Sequence, residues 1–438
     1  LITTEGFRDT LEIARGNRPD FFNLHYRKPA PFVPRYLRRE LPGRMTYKGV
    51  EREKLDMSGL PAILNDFKAD GVQAVAICFL HSYANPDHER VAVEIVREMA
   101  PGISVCASSD VFPYMREYER WTTTTMNAYV QPVVHRYISR LESELSGRGF
   151  AGRLHIMTSS GGMVTADIAR RFPIRLLESG PAAGALMSAH HGQALGEKNV
   201  LSFDMGGTTA KGALVRDGVP LKKYELEVAR VHEFKAGSGL PAKTPVIDLI
   251  EIGAGGGSLA EIDERGVIRV GPRSAGAVPG PVCYGAGGET PSLTDANLVL
   301  GLLNADFFLG GRMALDVEKA GDAIMTSIAE PLGLDLLRAA WGIHEVVNED
   351  VAQAFRIHAS ERAFDYRKAS MVGFGGSGPM HAVRIARKLR VPKVIFPMGA
   401  GVMSAFGLLV SPVSFEIARS HRASMRSLDA DCYETEFE

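Results

Sequence analysis

The sequence has 438 residues, more than one hydrophobic core normally organises, so several domains are expected. Hydrophobic residues make up 45% and charged residues 23%, the balance of a globular chain rather than a disordered one. The 50 Lys and Arg against 51 Asp and Glu leave a formal charge of -1, so no global field points to a nucleic-acid or membrane partner.

The chain opens on a strand-like Leu1-Ile2-Thr3-Thr4 rather than on Met, and the native beginning is expected to be missing. Pro29, Pro31, Pro34 and Pro42 mark an extended connection. A helix over Leu60 to Phe67, a strand Ala74 to Leu80, a helix Asp87 to Met99 and a strand Ile103 to Ala107 follow, an alternation that favours parallel pairing. The run Ala74 to Leu80 is the longest apolar stretch, far short of the roughly 20 residues that cross a bilayer. Val134, Ile138, Leu141 and Leu145 recur at helical spacing and place a long helix before the break at Gly147 to Gly152. The expected organisation is an N-terminal α/β domain over 1–150, a second domain over 151–420 with a helical insertion at about 317–348, and the start of a truncated region over 421–438. Cys78, Cys106, Cys283 and Cys432 form no C-x-x-C pair, so neither a zinc site nor a disulfide framework is indicated and a cytoplasmic setting is expected.

From about 151 onward, paired or tripled glycines follow strand-like runs at 161-162, 206-207, 255-257 and 375-376. The most informative segment runs from Val200 to Gly218. It is an apolar strand ending in Asp204, a turn Gly206-Gly207-Thr208-Thr209, a second strand containing Lys211, and an Asp217-Gly218 pair that favours a tight hairpin. Three successive antiparallel strands are expected. Free N–H groups of the turn can surround phosphate oxygens, the two threonine hydroxyls add donors, and Lys211 supplies positive charge. Asp204 is a poor direct phosphate ligand; its expected role is to hold Mg²⁺ through water or to orient an attacking group. A glycine-rich hairpin with a capping aspartate is the bland alternative. No Walker-type G-x-x-x-x-G-K-[ST] string occurs, and the strand-turn-strand context resembles the phosphate loop of the acetate kinase, sugar kinase, Hsp70 and actin superfamily.

A second glycine element, Gly373-Phe374-Gly375-Gly376-Ser377-Gly378-Pro379, joins a strand to a helix and resembles that superfamily's adenosine turn. Backbone approach to a ligand and a positive helix N-terminus coincide there. The expected fold is therefore α/β, a ribonuclease H-like nucleotide-binding core of the actin/Hsp70/acetate kinase type behind an additional N-terminal α/β domain.

Longer strings narrow the resemblance. Glu178-Ser179-Gly180-Pro181-Ala182-Ala183-Gly184, Glu251-Ile252-Gly253-Ala254-Gly255-Gly256-Gly257-Ser258, Gly271 to Gly285 and Thr294-Asp295-Ala296-Asn297 together resemble the hydantoinase A/oxoprolinase family, as do Leu1 to Asp9 and Asn127 to Pro132. The resemblance implies ATP and Mg²⁺ as cofactors and a carbonyl substrate activated by phosphorylation. Hydrolysis of a cyclic amide such as a hydantoin, 5-oxoproline or a lactam is the leading expectation. The activating subunit of an acetone- or acetophenone-type carboxylase and a non-catalytic nucleotide switch are the alternatives. It also implies a hydantoinase B-type partner in a hetero-oligomer. Family members carry a further D-x-G-G-T loop near the N-terminus, and none precedes Asp204 in this sequence.

Candidate catalytic residues are Asp204, Glu251 and Asp295, with Asp204 also the metal ligand. Gly206, Gly207, Thr208, Thr209, Lys211, Gly255, Gly256, Gly375, Gly376 and Ser377 are the candidate nucleotide contacts. For Glu178, Asp295 and Asn297, helix capping explains the same letters. His190-His191 point apart on a helix and make a poor chelate; His381 fits capping or packing; His232 and Asp248 are open to a substrate role that spacing does not establish. Cys283 fits a small buried thiol.

Overall fold

A computed structural model describes residues 1–16, 18, 20–229, 237–418 and 420. The first part of the chain forms a four-stranded parallel sheet of β1 (Ile2–Thr4), β2 (Arg39–Leu41), β3 (Ala74–Cys78) and β4 (Ser104–Ala107), in the order β2-β1-β3-β4. Alternation along β3 separates its faces. Val75 and Ile77 join Leu60, Leu64 and Phe67 of α1 (Leu60–Ala69) and Val93 and Val96 of α2 (Asp87–Met99). Ala76 and Cys78 turn the other way, onto Trp121 and Met126 of the 31-residue helix α3 (Glu117–Gly147). Strand β3 ends two residues earlier than its apolar run. Beyond Cys78 the ladder partners are replaced by side chains: Phe79 N–H donates to Glu89 Oε1 at 2.8 Å and Leu80 N–H to Thr4 Oγ1 at 3.0 Å.

The second sheet is built on β5 (Val200–Met205), β6 (Ala210–Arg216) and β7 (Val219–Pro220), antiparallel in succession. Between β6 and β7, Asp217 and Gly218 take φ of 50° and 80°, the left-handed pair that a tight hairpin requires. The third strand is short, and β8 (Leu249–Ile252) pairs with the rest of that edge of β6. On the other side of β5 lie β11 (Ser370–Phe374) and β12 (Lys393–Ile395), both parallel to it. The order β7-β6-β5-β11-β12, three antiparallel strands followed by two parallel ones, is the ribonuclease H-like arrangement. Between β8 and β11 the chain forms the hairpin β9 (Ser258–Ile262) and β10 (Ile268–Ser274).

Helices cover both faces. Leu201, Phe203, Met205, Leu214 and Met371 pack against α5 (Leu293–Val299), α6 (Leu336–Glu361) and α7 (Gly378–Leu389). Val200, Val215, Val372 and Phe374 face α4 (Ser179–Ala194) and α8 (Met403–Val410). Helices span 317–361 rather than stopping near 348, and α6 is no outlying layer, since Phe355, Val351 and Val347 belong to the principal core. Among the described residues no helix is long and apolar enough to cross a membrane. The expected region 421–438, with Cys432, and also His232 lie outside the described residues.

Candidate functional site

Because β5 and β11 are parallel with Asp204 level with Phe374, both strands release their chains at the same end of the sheet, where open α/β sheets hold ligands. The turns that follow touch. Ser377 N–H donates to Met205 O at 2.8 Å and Gly375 N–H to Ala400 O at 3.0 Å. A Cβ on Gly375, whose φ is +85°, would stand 2.4 Å from Asp204 Oδ1, so only glycine lets the second turn close over the carboxylate.

The Gly206–Thr209 turn closes on itself through Gly206 N–H to Thr209 O, 3.1 Å. Its tip is exposed at Gly207 and Thr208. Among the described residues no protein acceptor takes the N–H groups of Gly207, Thr208 or Thr209, nor that of Gly376 in the facing turn. Four unpaired amides on two adjoining turns make a site suited to phosphate oxygens.

The expected third contact is arranged differently. Gly255 and Gly256 are buried, and their N–H groups donate to Ser258 Oγ at 2.8 Å and to Gly206 O at 3.0 Å. A Cβ on Gly255 would lie 2.5 to 2.7 Å from the backbone of Gly207 and Thr208. These glycines brace the loop from beneath and offer it no spare donor. Gly256 O in turn accepts both the N–H and the hydroxyl of Thr294, each at 2.7 Å.

Register places Asp204, Lys211 and Glu251 in one row across β5, β6 and β8. Lys211 Nζ lies 3.4 Å from Glu251 and also pairs with Glu178. Glu178 reaches it from a left-handed residue, φ 64°, just ahead of α4 and makes no side-chain cap there. Burial opposes the Lys211 charge, but Glu178 and Glu251 outweigh it and raise its pKa. The lysine therefore stays charged, with protein carboxylates already paired to it. Burial also pushes the Asp204 carboxyl up, with Lys211 and a hydrogen bond to Ser404 working the other way. A single half-buried carboxylate beside free amides fits a magnesium ion that keeps most of its water and takes further ligands from phosphate. No cluster of three or more metal-ligating side chains exists among the described residues.

Asp295 is not gathered into this row. It is fully buried and closes a capping box with Ser292, accepting the Ser292 N–H and hydroxyl at 2.7 Å each, and it also takes the Cys283 N–H at 2.7 Å. Its acceptors are shared between the start of α5 and the N–H groups of Val282 and Cys283, an arrangement that supports capping over the catalytic expectation. Asp248 is likewise buried, held by Arg362 at 2.5 Å and Lys223 at 3.2 Å. Burial, followed by the Asp295 charge, pushes the Cys283 thiol up, opposite to what an activated nucleophile needs.

Comparison with known proteins agrees with this architecture. The Hydantoinase/oxoprolinase profile matches residues 120–417 and the Hydantoinase/oxoprolinase N-terminal region matches 1–100. An uncharacterised Methanocaldococcus jannaschii protein is 40% identical over 440 residues, covering 100% of this chain and 64% of its own length. The caprolactamase subunit alpha of Pseudomonas jessenii is 38% identical over 418 residues, covering 95% and 59%. The solved ATP-dependent caprolactamase from that organism superposes with a TM-score of 0.79. Nucleotide-free acetone carboxylase, 29% identical, superposes with a TM-score of 0.77 over 94% of this chain and 58% of its own. The chain thus spans about three fifths of the length of the relatives it matches, and with both profiles together matching nearly all of it, it belongs to the hydantoinase/oxoprolinase family.

Proposed function

We propose that this chain carries the nucleotide site of an enzyme that uses ATP to activate a carbonyl compound, most directly a cyclic amide on its way to hydrolysis. The observation that carries the reading is the set of unpaired amides at Gly207, Thr208, Thr209 and Gly376, on two turns that meet beside Asp204. Bound ATP would supply a transferable phosphoryl group, which converts an unreactive amide oxygen into a leaving group. The amides of the first turn, with the Thr208 and Thr209 hydroxyls, would hold phosphate oxygens in fixed positions. Asp204 would hold Mg²⁺, and the Gly375–Ser377 turn would receive the nucleoside end. Lys211, paired with Glu178 and Glu251, would keep this row of carboxylates from repelling the phosphates.

The lactam reading is favoured over carboxylation by the higher identity to caprolactamase than to acetone carboxylase. A hydantoinase B-type subunit is the partner this reading calls for; several relatives are named as subunits. Release of ADP is to be measured with hydantoins, 5-oxoproline, lactams and ketones, the last with and without bicarbonate. Lactam- or hydantoin-dependent release, abolished by Asp204→Ala in a folded protein, supports the proposal. Release that needs a ketone and bicarbonate moves the assignment to a carboxylase, and turnover indifferent to Asp204→Ala removes the site.

A further inference from the structure

Behind the two turns lies a polar chain in an otherwise apolar core. Asn297 sits one helical turn beyond Thr294 on α5; its side chain bridges His344 Nδ1 at 2.8 Å and His381 Nε2 at 3.1 Å. His381 Nδ1 continues to Asn348 Oδ1 at 2.9 Å. Asn297, His381 and Asn348 have no exposed surface. The rings of His344 and His381 stack at 4.5 Å, and Trp341 stacks on His344 at 5.4 Å. Read from His344 through Asn297 and His381 to Asn348, every group donates once to the next, with both rings neutral.

Neutral rings are what this environment favours. Burial lowers the His381 pKa to about 3, with His344 adding to the effect, and burial lowers that of His344 to about 4. The charged groups nearest His344, Glu345 and Arg384, pair with each other at 2.9 and 3.0 Å. Uncompensated polar groups in such a core are costly, so a connected chain of them calls for a reason.

The geometry supplies one. Helix α5 begins at the residues that hold Gly256 O through Thr294, and Gly256 braces the phosphate-like turn. Helix α7 begins at the Gly375–Ser377 turn, and His381 is on its first turn. A Cβ on Gly256 would stand 2.7 Å from Ser377 Oγ, so the spacing of α5 and α7 sets how closely the turns approach. We propose that Asn297 and His381 are positioning residues that fix this spacing, and with it the nucleotide-competent form of the site. The inference rests on the nucleotide reading above and assigns neither residue to contact with the ligand.

Binding of ATP with Mg²⁺ is to be measured by calorimetry between pH 5 and 8 for the protein and four variants, each checked for folding by thermal melting. Asn297→Ala and His381→Leu, which break the bridge, are expected to weaken binding roughly tenfold at every pH. His381→Gln, which restores a neutral acceptor towards Asn297, is expected to recover most of it. Asn297→Asp keeps the shape but places a carboxylate against both rings, so the ratio of its affinity to that of the wild type is expected to change with pH across the histidine range, whereas for Asn297→Ala that ratio stays constant. Nitrogen-15 spectra of the unliganded wild type should show His344 and His381 uncharged throughout. Wild-type binding matched by folded Asn297→Ala and Asn297→Asp at all pH values would overturn the positioning role and leave the nucleotide reading standing. A wild type that binds no nucleotide removes both. Histidines that titrate near pH 6.5 overturn the neutral bridge by themselves.

Discussion

Alanine at Gly375 is the sharpest perturbation of the place where the two turns close. The new Cβ would lie 2.4 Å from Asp204 Oδ1, 2.5 Å from Met205 O and 2.9 Å from Met205 C, and backbone atoms at the end of a central strand have little room to yield. An L residue at φ +85° adds roughly 1–2 kcal/mol of backbone strain, and overpacking of a tight site costs about 1–3 kcal/mol more. A loss of several kcal/mol, large against a typical total of about 5–15 kcal/mol, should appear as a lowered urea midpoint with an unchanged slope. Gly376, the next residue, is exposed and has nothing within 4 Å of its would-be Cβ. Gly376→Ala should stay within about 0.5 kcal/mol of wild type. Equal midpoints for the two alanine variants would refute the claim that the turns are in contact at Asp204.

Three other outcomes follow from the site's surroundings. Asp295→Ala should destabilise the fold by about 2–4 kcal/mol in the same urea assay, because it strips acceptors from buried donors of Ser292 and Cys283 and removes half of a capping box; wild-type stability would show that the carboxylate is not structural. Lys211→Met removes the charge that holds the Asp204 carboxyl down, so the acid limb of ADP release, where activity falls as pH drops through the Asp204 pKa, should move to higher pH. An unmoved limb would disconnect the two residues. Burial works to raise the Asp248 pKa, but Arg362 and Lys223 outweigh it and the carboxyl is lowered. Its contribution to stability is therefore present above the unfolded value of about 3.9 and lost as pH falls through the folded one. Acid unfolding of Asp248→Asn should accordingly be less steep below about pH 4, and a slope equal to wild type would sink the assignment.

Local chemistry made much of this fold readable. Helix α2 follows its apolar spacing from end to end, and the Asp217-Gly218 pair announced the hairpin that turns β6 back into β7. The first half of α3 left no such trace, since Trp121, Thr122 to Thr125 and Met126 are buried together and a helix enclosed on all sides has no stripe. Longer-range facts were also silent. Nothing in the letters around Glu178 tells that its side chain crosses to Lys211, and nothing around Leu249 tells that β8 completes the edge β7 leaves unfinished. For Asp295 the spacing allowed both catalysis and capping, and only the partners distinguish them. Gly255 and Gly256 shared a composition with the phosphate-like turn but not its exposure.

The parallel pairing of Val200 with Ser370 has a consequence for biosynthesis. While a ribosome is still making the helical stretch before β11, strand β5 already exists with one edge open, a row of unmet amides and carbonyls of the kind that recruits foreign strands. Half of the proposed pocket is missing through that same interval. Such a nascent chain should depend on chaperones until the late β-α-β segment emerges, and a stalled product ending before Ser370 should aggregate rather than fold into a smaller, partly active protein.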